Sequence, residues 1–355
     1  MDVRPDIWFQ ITVPNEFQAV GKSFSCGVTA GMETTLCDPS WTEGCNRMDL
    51  IMVSSEHAKK TFENSGFTQQ DQKGNIIREV RITKPIEVLF EGCDLEKYFK
   101  SNDLKDFNLY DDLNTIEESF CFLYFGMWLQ GDFGEDRKNV GYTIKAFLET
   151  FKNKKNKPAL ILKTAQGPSS LIDRDRILKK IEDIRKTVTG DLPNIYLIHG
   201  ELSDDEINCM YNHPKVKAMV CLTKGEGFGR PLLEFSIVGK PIIASGWSGH
   251  LDFLQPGLCG LVGGTLTHIH PSALVPNMII KEAQWFKPDD NQVGYALTDV
   301  FNNYKKYQEK AKRLSFKNRQ NFSFEKMTEK LDQLLETYVK INKVVPLKLP
   351  KLKKI

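Results

Sequence analysis

Short apolar runs alternate with longer stretches of helical periodicity over most of the chain after residue 120. Runs of this kind, rich in β-formers and bounded by Gly and Pro, are typical of strands in a parallel sheet whose crossovers are helices. The pattern therefore predicts a doubly wound α/β domain. The predicted strands lie at 120–129, 158–164, 194–200, 216–223 and 240–245, and the predicted helices between them lie at 138–153, 171–188, 203–213 and 230–239.

Three of the predicted helix ends have a local cause. Ser203 is followed three residues later by Glu206, which is the spacing of a capping box. Pro231 suits the first turn of a helix because it has no N–H to leave unsatisfied. Gly239 lies where the same helix should end, just before a proline.

The first 118 residues are less regular, and only a few βα units fit there. Strands are predicted at 6–14, 24–31, 49–55 and 86–92, with one helix at 54–66. The polar segment 94–118 is predicted to cross between two domains, and amphipathic helices are predicted at 291–314 and 324–342. The resulting division is a first domain at 1–118, a second at 119–315, a C-terminal helix at 316–342 that packs back across both, and a basic tail at 343–355.

Composition fits a two-domain globular protein and excludes little else. The chain has 355 residues, of which 41% are apolar and 26% charged, and its net charge is +2. This balance gives no indication of a nucleic-acid binder from charge alone. The charge is uneven, however, because the last thirteen residues hold five lysines and no acid.

The cysteines and the apolar runs indicate a cytoplasmic protein. The eight cysteines include no C-x-x-C pair, so we expect buried free thiols in a reducing compartment. The N-terminus lacks the basic and apolar regions of a signal peptide. The longest apolar stretch, at 120–129, is shorter than the about 20 residues that span a bilayer.

The segment TKGEGFGRPLLEF (223–235) combines a glycine-rich loop with the start of a helix. Such a junction offers free N–H groups and a positive helix end, which suit a diphosphate. It is neither a Walker loop nor a dinucleotide-binding fingerprint. Its two acids, Glu226 and Glu234, are suited to accept hydrogen bonds from vicinal hydroxyls. A diphosphate between two polyols, as in a nucleotide sugar, is the predicted ligand.

The stretch EGFGRPLLE (226–234) resembles the E-x7-E motif of retaining glycosyltransferases with the GT-B fold, in which two Rossmann-like domains face a cleft. The flanking segments 198–223 and 239–262 and the segment 126–147 are similar to that family as well, so the resemblance covers about 120–340. It implies transfer of a hexose from a UDP- or GDP-sugar with retention of configuration, and no metal or other cofactor. Cationic groups and helix N–H groups would neutralise the leaving diphosphate.

The resemblance also implies roles for individual residues. Glu226 would hold the donor sugar and Lys138 the diphosphate, and these two are the predicted catalytic residues. Glu234 would bind the ribose hydroxyls. The other predicted donor-binding residues are Arg137, Gly200, Glu201, Leu202, Thr223, Phe228, Gly229, Arg230 and Asp252, while Glu33 and His250 are predicted on the acceptor side.

The N-terminal part resembles only the later section of the family's acceptor domain. The first βα units of that domain are absent. Either the acceptor domain is reduced, or a partner chain completes it, or the given sequence begins at an internal methionine. The basic residue that usually precedes the lysine by several positions is also absent, with Gln130 or Asp132 nearby. His268 and His270 form a pair without a third metal ligand.

These departures leave three alternatives open. The chain is a non-catalytic glycosyltransferase-like subunit, or it is a transferase whose acceptor is a modified DNA base held with the help of the basic tail. A sugar-nucleotide epimerase on the same fold is a more distant alternative. The acceptor itself (glycan, lipid, protein or modified base) stays open.

Overall fold

The computed structural model describes residues 5–71, 73–102 and 107–339, and its first part is an α/β unit built on four parallel strands. The elements are β1 (Ile7–Ile11), β2 (Phe24–Thr29), α1 (Pro39–Cys45), β3 (Leu50–Val53), α2 (Glu56–Asn64), β4 (Gly66–Gln70), β5 (Ile76–Arg81) and β6 (Ile86–Val88). The strand order of the sheet is β1-β2-β3-β6. Strands β4 and β5 form a separate two-stranded antiparallel hairpin.

Both helices of this unit begin at side-chain caps. The Asp38 side chain accepts a hydrogen bond from Ser40 N at the start of α1, and Pro39 occupies the first turn. The Ser55 side chain accepts from Ala58 N at the start of α2. Such caps satisfy N–H groups that have no partner within the helix, so these polar residues set where each helix begins.

The second part is built on a six-stranded, wholly parallel sheet. Its elements are α3 (Asn108–Asn114), β7 (Cys121–Phe125), α4 (Val140–Phe151), β8 (Ala159–Lys163), α5 (Leu171–Lys186), β9 (Ile195–Ile198), α6 (Asp204–Asn212), β10 (Val216–Cys221), α7 (Arg230–Ile237), β11 (Ile242–Ser245) and β12 (Gly260–Val262). The strand order is β12-β11-β10-β7-β8-β9, so it reverses between β7 and β10. In open α/β sheets the ligand crevice lies at such a reversal, outside the carboxyl ends of the strands. The prediction of a doubly wound α/β domain is confirmed.

Both faces of this sheet are covered, which explains why its strands are apolar throughout. Phe122 and Leu160 pack on one face, against α4, α5 and a later helix. Leu123 and Ile161 pack on the other face, against α6 and α7. The capping box predicted at Ser203 is present at the start of α6.

A segment that the sequence pattern does not predict follows β12. It is an antiparallel hairpin, β13 (Gly264–His268) and β14 (Gln284–Pro288), joined by a long connection. We call residues 264–288 the arm. The arm reaches the first domain, because Trp41 Nε1 donates to Asn277 O at 2.8 Å and Thr35 N donates to Gln284 O at 2.9 Å.

The C-terminal helices differ from the prediction. The predicted helix at 291–314 is two helices, α8 (Asp290–Asn302) and α9 (Tyr304–Asn321), which meet at Asn303. The backbone of Asn303 is not helical, with φ −112° and ψ 33°. Its side-chain amide donates a hydrogen bond to the Asp299 carboxylate. The last helix, α10 (Phe324–Tyr338), packs Leu334 against strands of the first domain. The predicted tail at 343–355 lies outside the described residues.

The cysteines agree with the expectation of free thiols. All eight lie among the described residues, are buried and form no disulfide bond. Burial raises the pKa of several, that of Cys26 to about 11, so these thiols stay protonated and unreactive at neutral pH. Within the described part of the chain, no helix is both long enough and apolar enough to span a bilayer.

Candidate active site between the two domains

The first acid of the motif, Glu226, lies in the loop after β10 and pairs with a half-buried lysine. Lys138 Nζ is 2.7 Å from both carboxylate oxygens of Glu226. Arg137 Nη1 lies 3.7 Å from Glu226 Oε2 and donates to Gly225 O at 2.9 Å. Burial alone would raise the pKa of Glu226, but the charges of Lys138 and Arg137 outweigh it and hold this pKa below its ordinary value. Glu226 is therefore ionised at neutral pH.

The second acid, Glu234, lies one helical turn into α7. Its Oε1 accepts from Arg230 Nε at 2.8 Å, and its Oε2 accepts from Tyr211 Oη at 3.4 Å. Glu234 is buried, whereas the Arg230 side chain is 60% exposed. Burial raises the pKa of Glu234 to about 7, against the opposing charge of Arg230. Glu234, unlike Glu226, thus titrates near neutral pH.

Two glycines of the motif are needed for contact between the domains. A Cβ on Gly225 would lie 2.0 Å from Glu33 O, and one on Gly227 would lie 2.5 Å from Ala30 O. Both carbonyls belong to the loop after β2 in the first domain. The sequence pattern predicts a diphosphate at this glycine-rich loop, and the structure shows that Gly225 and Gly227 allow close approach of the other domain. Gly229 differs, because its φ of +94° at the start of α7 favours glycine.

Direct polar contacts fix the first domain against the motif. Ser55 Oγ donates to Gly227 O at 2.5 Å. Glu33 Oε1 lies 3.0 Å from Arg137 Nη2, so this predicted acceptor-side residue is at the domain boundary. Asp252, predicted to bind the donor, accepts from Glu56 N at the start of α2 at 2.9 Å. Its carboxylate thus caps a helix of the first domain.

His250 lies beneath the motif in a single defined tautomer. It is fully buried, and its Nε2 donates to Ser245 O at 2.6 Å. Its Nδ1 is buried and has no hydrogen-bond partner among the described residues. Burial lowers the pKa of His250, so the ring is neutral and Nδ1 is a free acceptor.

Ser248, which sequence reasoning missed, orients the motif from the same loop. Its Oγ accepts from Glu226 N at 2.9 Å, and its φ is +84°. Positive φ is uncommon for residues other than glycine and is often found at functional sites. No local sequence signal marks this residue beyond its position next to a glycine.

The predicted donor-binding residues Gly200, Glu201 and Leu202 follow β9. Gly200 has a φ of +110°, and its carbonyl accepts a hydrogen bond from Lys163 Nζ. Lys163, which the sequence analysis did not single out, ends β8 and is buried, and burial lowers its pKa. Its place at the carboxyl edge of a predicted strand was the signal that could have found it. Glu201 is exposed next to Gly200, and Leu202 packs against the core beneath it.

Two of the predicted donor-binding residues have structural contacts of their own. Thr223 Oγ1 donates to Gly225 O at 2.9 Å and so shapes the motif loop. The Phe228 ring is buried against Phe253, so only its backbone is placed to reach a ligand.

One further carboxylate that the sequence analysis missed, Glu91, lies near this site after β6. Burial raises the pKa of Glu91, and the nearby charge of Arg230 opposes this shift while that of Glu226 adds to it.

The histidine pair of the arm is separate from this site. His270 Nδ1 lies 2.8 Å from Ser272 Oγ, and His268 is exposed on β13. Among the residues that the structure describes, no group of three His, Cys, Asp or Glu side chains is placed to hold a metal ion.

Comparison with known proteins shows likeness at the level of structure. No family model and no curated protein sequence matches the chain. A sucrose-phosphate synthase from Thermosynechococcus elongatus matches with a TM-score of 0.60 and 15% identity, over 89% of this chain and 68% of that one.

Two further structures agree with this match. Anabaena HepE in complex with UDP and glucose matches with a TM-score of 0.59 and 13% identity, over 89% of this chain and 72% of that one. An α,α-trehalose 6-phosphate synthase from Burkholderia multivorans matches with a TM-score of 0.58 and 9% identity, over 89% and 67%. At these identities the likeness shows the fold, and the chain has the GT-B fold that its sequence predicts.

Proposed function

We propose that this protein is a glycosyltransferase that moves a hexose from a UDP-sugar to an acceptor hydroxyl with retention of configuration. The observation that carries the proposal is the pair of buried carboxylates on either side of the α7 N-terminus, each with its own cation. Glu226 is paired with Lys138, and Glu234 with Arg230. Buried acids are costly unless paired or bound, and the pairing brings a cation to each side of the α7 N-terminus.

The start of α7 has the charge that suits a diphosphate. It carries the positive end of the helix dipole. Pro231 has no N–H and Leu232 N already donates to Gly229 O at 2.9 Å, so the dipole and the nearby cations, rather than a row of free N–H groups, would attract the ligand. Arg230 is mostly exposed and free to turn towards a bound phosphate. Lys138 bridges to Glu226, so a diphosphate that enters beside it would share the same ammonium. These groups would neutralise the charge that develops on the leaving UDP.

The acids would then bind the polyols on either side. Glu226, ionised and fixed by Ser248 and Lys138, would accept hydrogen bonds from the donor sugar. His250 Nδ1 would accept another, which explains an otherwise unpartnered buried nitrogen. Glu234 would accept from the ribose hydroxyls, and the backbone of Gly200 and Glu201 would border the base.

In the proposed reaction the bond between the anomeric carbon and the diphosphate oxygen breaks while the acceptor oxygen bonds to the same face of that carbon. The acceptor proton passes to the departing diphosphate oxygen, so no protein nucleophile is required. The choice of UDP over GDP is supported by the HepE structure, which is a complex with UDP and glucose. HepE shares the fold with this chain and little sequence.

A panel of nucleotides and nucleotide sugars tests the proposal. We expect UDP and UDP-glucose to raise the melting temperature of the wild type at concentrations where GDP and GDP-mannose do not. Glu226→Ala should abolish UDP-glucose hydrolysis and transfer, and proton NMR of the product should show an α-linkage from the α-linked donor. Glu329→Ala, in an exposed ion pair with Lys326, is the matched control.

The remaining outcomes separate the alternatives. Binding of UDP-sugars with no hydrolysis or transfer under any condition would support a non-catalytic subunit. Transfer confined to hydroxymethylated DNA would support a modified base as acceptor, and conversion of the sugar without transfer would support an epimerase. No thermal shift with any nucleotide sugar would contradict the proposal as a whole.

A further inference from the structure

A cavity of about 440 Å³ lies between the arm and the first domain, next to the site described above. It is outside the motif, because neither Glu226 nor Glu234 lines it. Its polar lining consists of Glu33, Arg137, Gln130 and Gln166. Its apolar lining consists of Met32, Leu129, Ala273, Val275, Met278, Ile279 and Trp285.

One side chain links the cavity to the candidate active site. Arg137 lines the cavity, donates to Gly225 O at 2.9 Å and lies 3.7 Å from Glu226 Oε2. Glu33 also lines the cavity and pairs with Arg137 at 3.0 Å. A molecule in the cavity would therefore extend to within one side chain of the carboxylate proposed to hold the donor sugar.

The lining indicates which chemistry the cavity would accept. Most of the walls are apolar, and Arg137 is the one cationic side chain among the described lining residues. Arg137 already faces two carboxylates, those of Glu33 and Glu226, so it has little positive charge left to neutralise a phosphate. The lining therefore disfavours a phosphorylated acceptor and favours a neutral one with an apolar group.

Trp285 contributes an apolar wall. Its side chain is 1% exposed and its indole Nε1 is buried, so only a narrow part of the ring borders the cavity. Gln130 holds this wall in place, because its Nε2 donates to Leu274 O of the arm at 3.2 Å.

We propose that this cavity is an acceptor subsite, built by the arm, that takes an apolar aglycone attached to the ring whose hydroxyl reacts. The acceptor class is thus a neutral aryl or alkyl glycoside rather than a sugar phosphate. This proposal rests on the proposed function, since it names the second substrate of the same site. The apolar group would lie among Met32, Val275 and Trp285, with the sugar ring directed past Arg137 towards Glu226.

The test compares ligands that differ only in the aglycone. Phenyl β-glucoside, methyl β-glucoside and glucose 6-phosphate are titrated by calorimetry into the UDP-saturated protein. Burial of a phenyl ring predicts that phenyl β-glucoside binds at least about tenfold more tightly than methyl β-glucoside. Glucose 6-phosphate should bind no better than methyl β-glucoside. Equal affinities for the two glycosides, or binding of neither, would overturn the proposal.

Variants of the arm localise the effect. Val275→Trp fills the cavity and should reduce the preference for the phenyl glycoside at least about fivefold, while Met278→Ala, at the exposed rim, should reduce it less. Leu266→Trp, on the exposed face of β13 and outside the lining, is the control. A preference that survives unchanged in both Val275→Trp and Met278→Ala would place the apolar group elsewhere and overturn the proposal.

The UDP-induced rise in melting temperature separates this proposal from the function on which it rests. If the rise persists in every variant and only the glycoside preference fails to appear, the cavity proposal is wrong and the donor site stands. If UDP produces no rise in the wild type, the proposed function fails, and calorimetry without UDP still decides whether the cavity binds the phenyl group.

Discussion

Lys138 Nζ lies 2.7 Å from each carboxylate oxygen of Glu226, and the two side chains are only 19% and 7% exposed. Removing one member of such a pair destabilises the protein, because the remaining charge loses its partner. Lys138→Met should lower the free energy of unfolding by about 2–4 kcal/mol. The loss should be smaller than in an isolated ion pair, because Arg137 remains near Glu226. Chemical denaturation of the two proteins measures the difference.

The double variant Lys138→Met/Glu226→Gln distinguishes stability from function. It removes both charges, so it should recover most of the lost stability. UDP-glucose turnover should stay at least about a hundredfold below wild type in the single and the double variant, because the cation for the leaving diphosphate is gone. Lys326→Met, in the exposed pair with Glu329 at 2.6 Å, should change stability by less than about 0.5 kcal/mol. Turnover that recovers with stability would assign the pair a structural role.

Glu234 should make stability depend on pH in a defined window. Its pKa is about 7 in the folded protein against an ordinary value of 4.5, so folding favours the protonated form. The stability from this group is fully present below pH about 4.5 and is lost as pH rises through about 7. Glu234→Gln removes this loss. Between these two pH values, the free energy of unfolding of the variant should rise relative to wild type by on the order of 1–3 kcal/mol. Above about pH 7 this difference should stay constant.

The same variant should bind nucleotide less well. Its side-chain amide would offer one carbonyl oxygen in place of a carboxylate, so we expect UDP affinity to fall about tenfold at pH 8. Melting temperatures from pH 4.5 to 9, with and without UDP, measure both effects. A variant that is less stable than wild type at pH 8 would show that the Arg230 pair outweighs burial, contrary to the expected direction.

The second domain and its motif could be predicted from the sequence because their signals are local. Strands such as Cys121–Phe125 are apolar on both faces, which only a covered parallel sheet explains. Ser203 and Glu206 mark a helix start within four residues. The E-x7-E spacing places Glu226 in the loop and Glu234 within α7, where the structure has them.

The features that could not be predicted from the sequence depend on contacts between distant segments of the chain. The strands of the arm are short and half exposed, and their pairing of Leu266 with Phe286 crosses a long connection that no local pattern reveals. The roles of Gly225 and Gly227 depend on where the first domain lies, and Glu33 meets Arg137 only once both domains have folded. Tertiary packing of this kind is not visible in residue propensities.

Asp252 is predicted to contact the donor, while in the structure its Oδ2 accepts from Glu56 N at the start of α2. These two roles give different results on substitution. Asp252→Ala should cost about 1 kcal/mol of stability through loss of a cap. If the cap is its whole role, the UDP-induced rise in melting temperature should match wild type within error. A rise that disappears in this variant would instead support the predicted contact with the donor.

Gly225 should tolerate no side chain, although its backbone conformation is open to other residues. A Cβ there would lie 2.0 Å from Glu33 O and 3.1 Å from the Trp247 ring, so Gly225→Ala requires the first domain to move away. We expect a loss of about 1–3 kcal/mol from this overpacking and at least about a tenfold loss of transfer, since Glu33 would leave Arg137.

Gly167→Ala is the matched control, because a Cβ at Gly167 has open space around it and its φ is not positive. It should be neutral or stabilise slightly. UDP affinity should change by less than about threefold in both variants, since the donor residues belong to the second domain. Wild-type transfer by Gly225→Ala would contradict the inference that close contact of the domains at this loop is needed for activity.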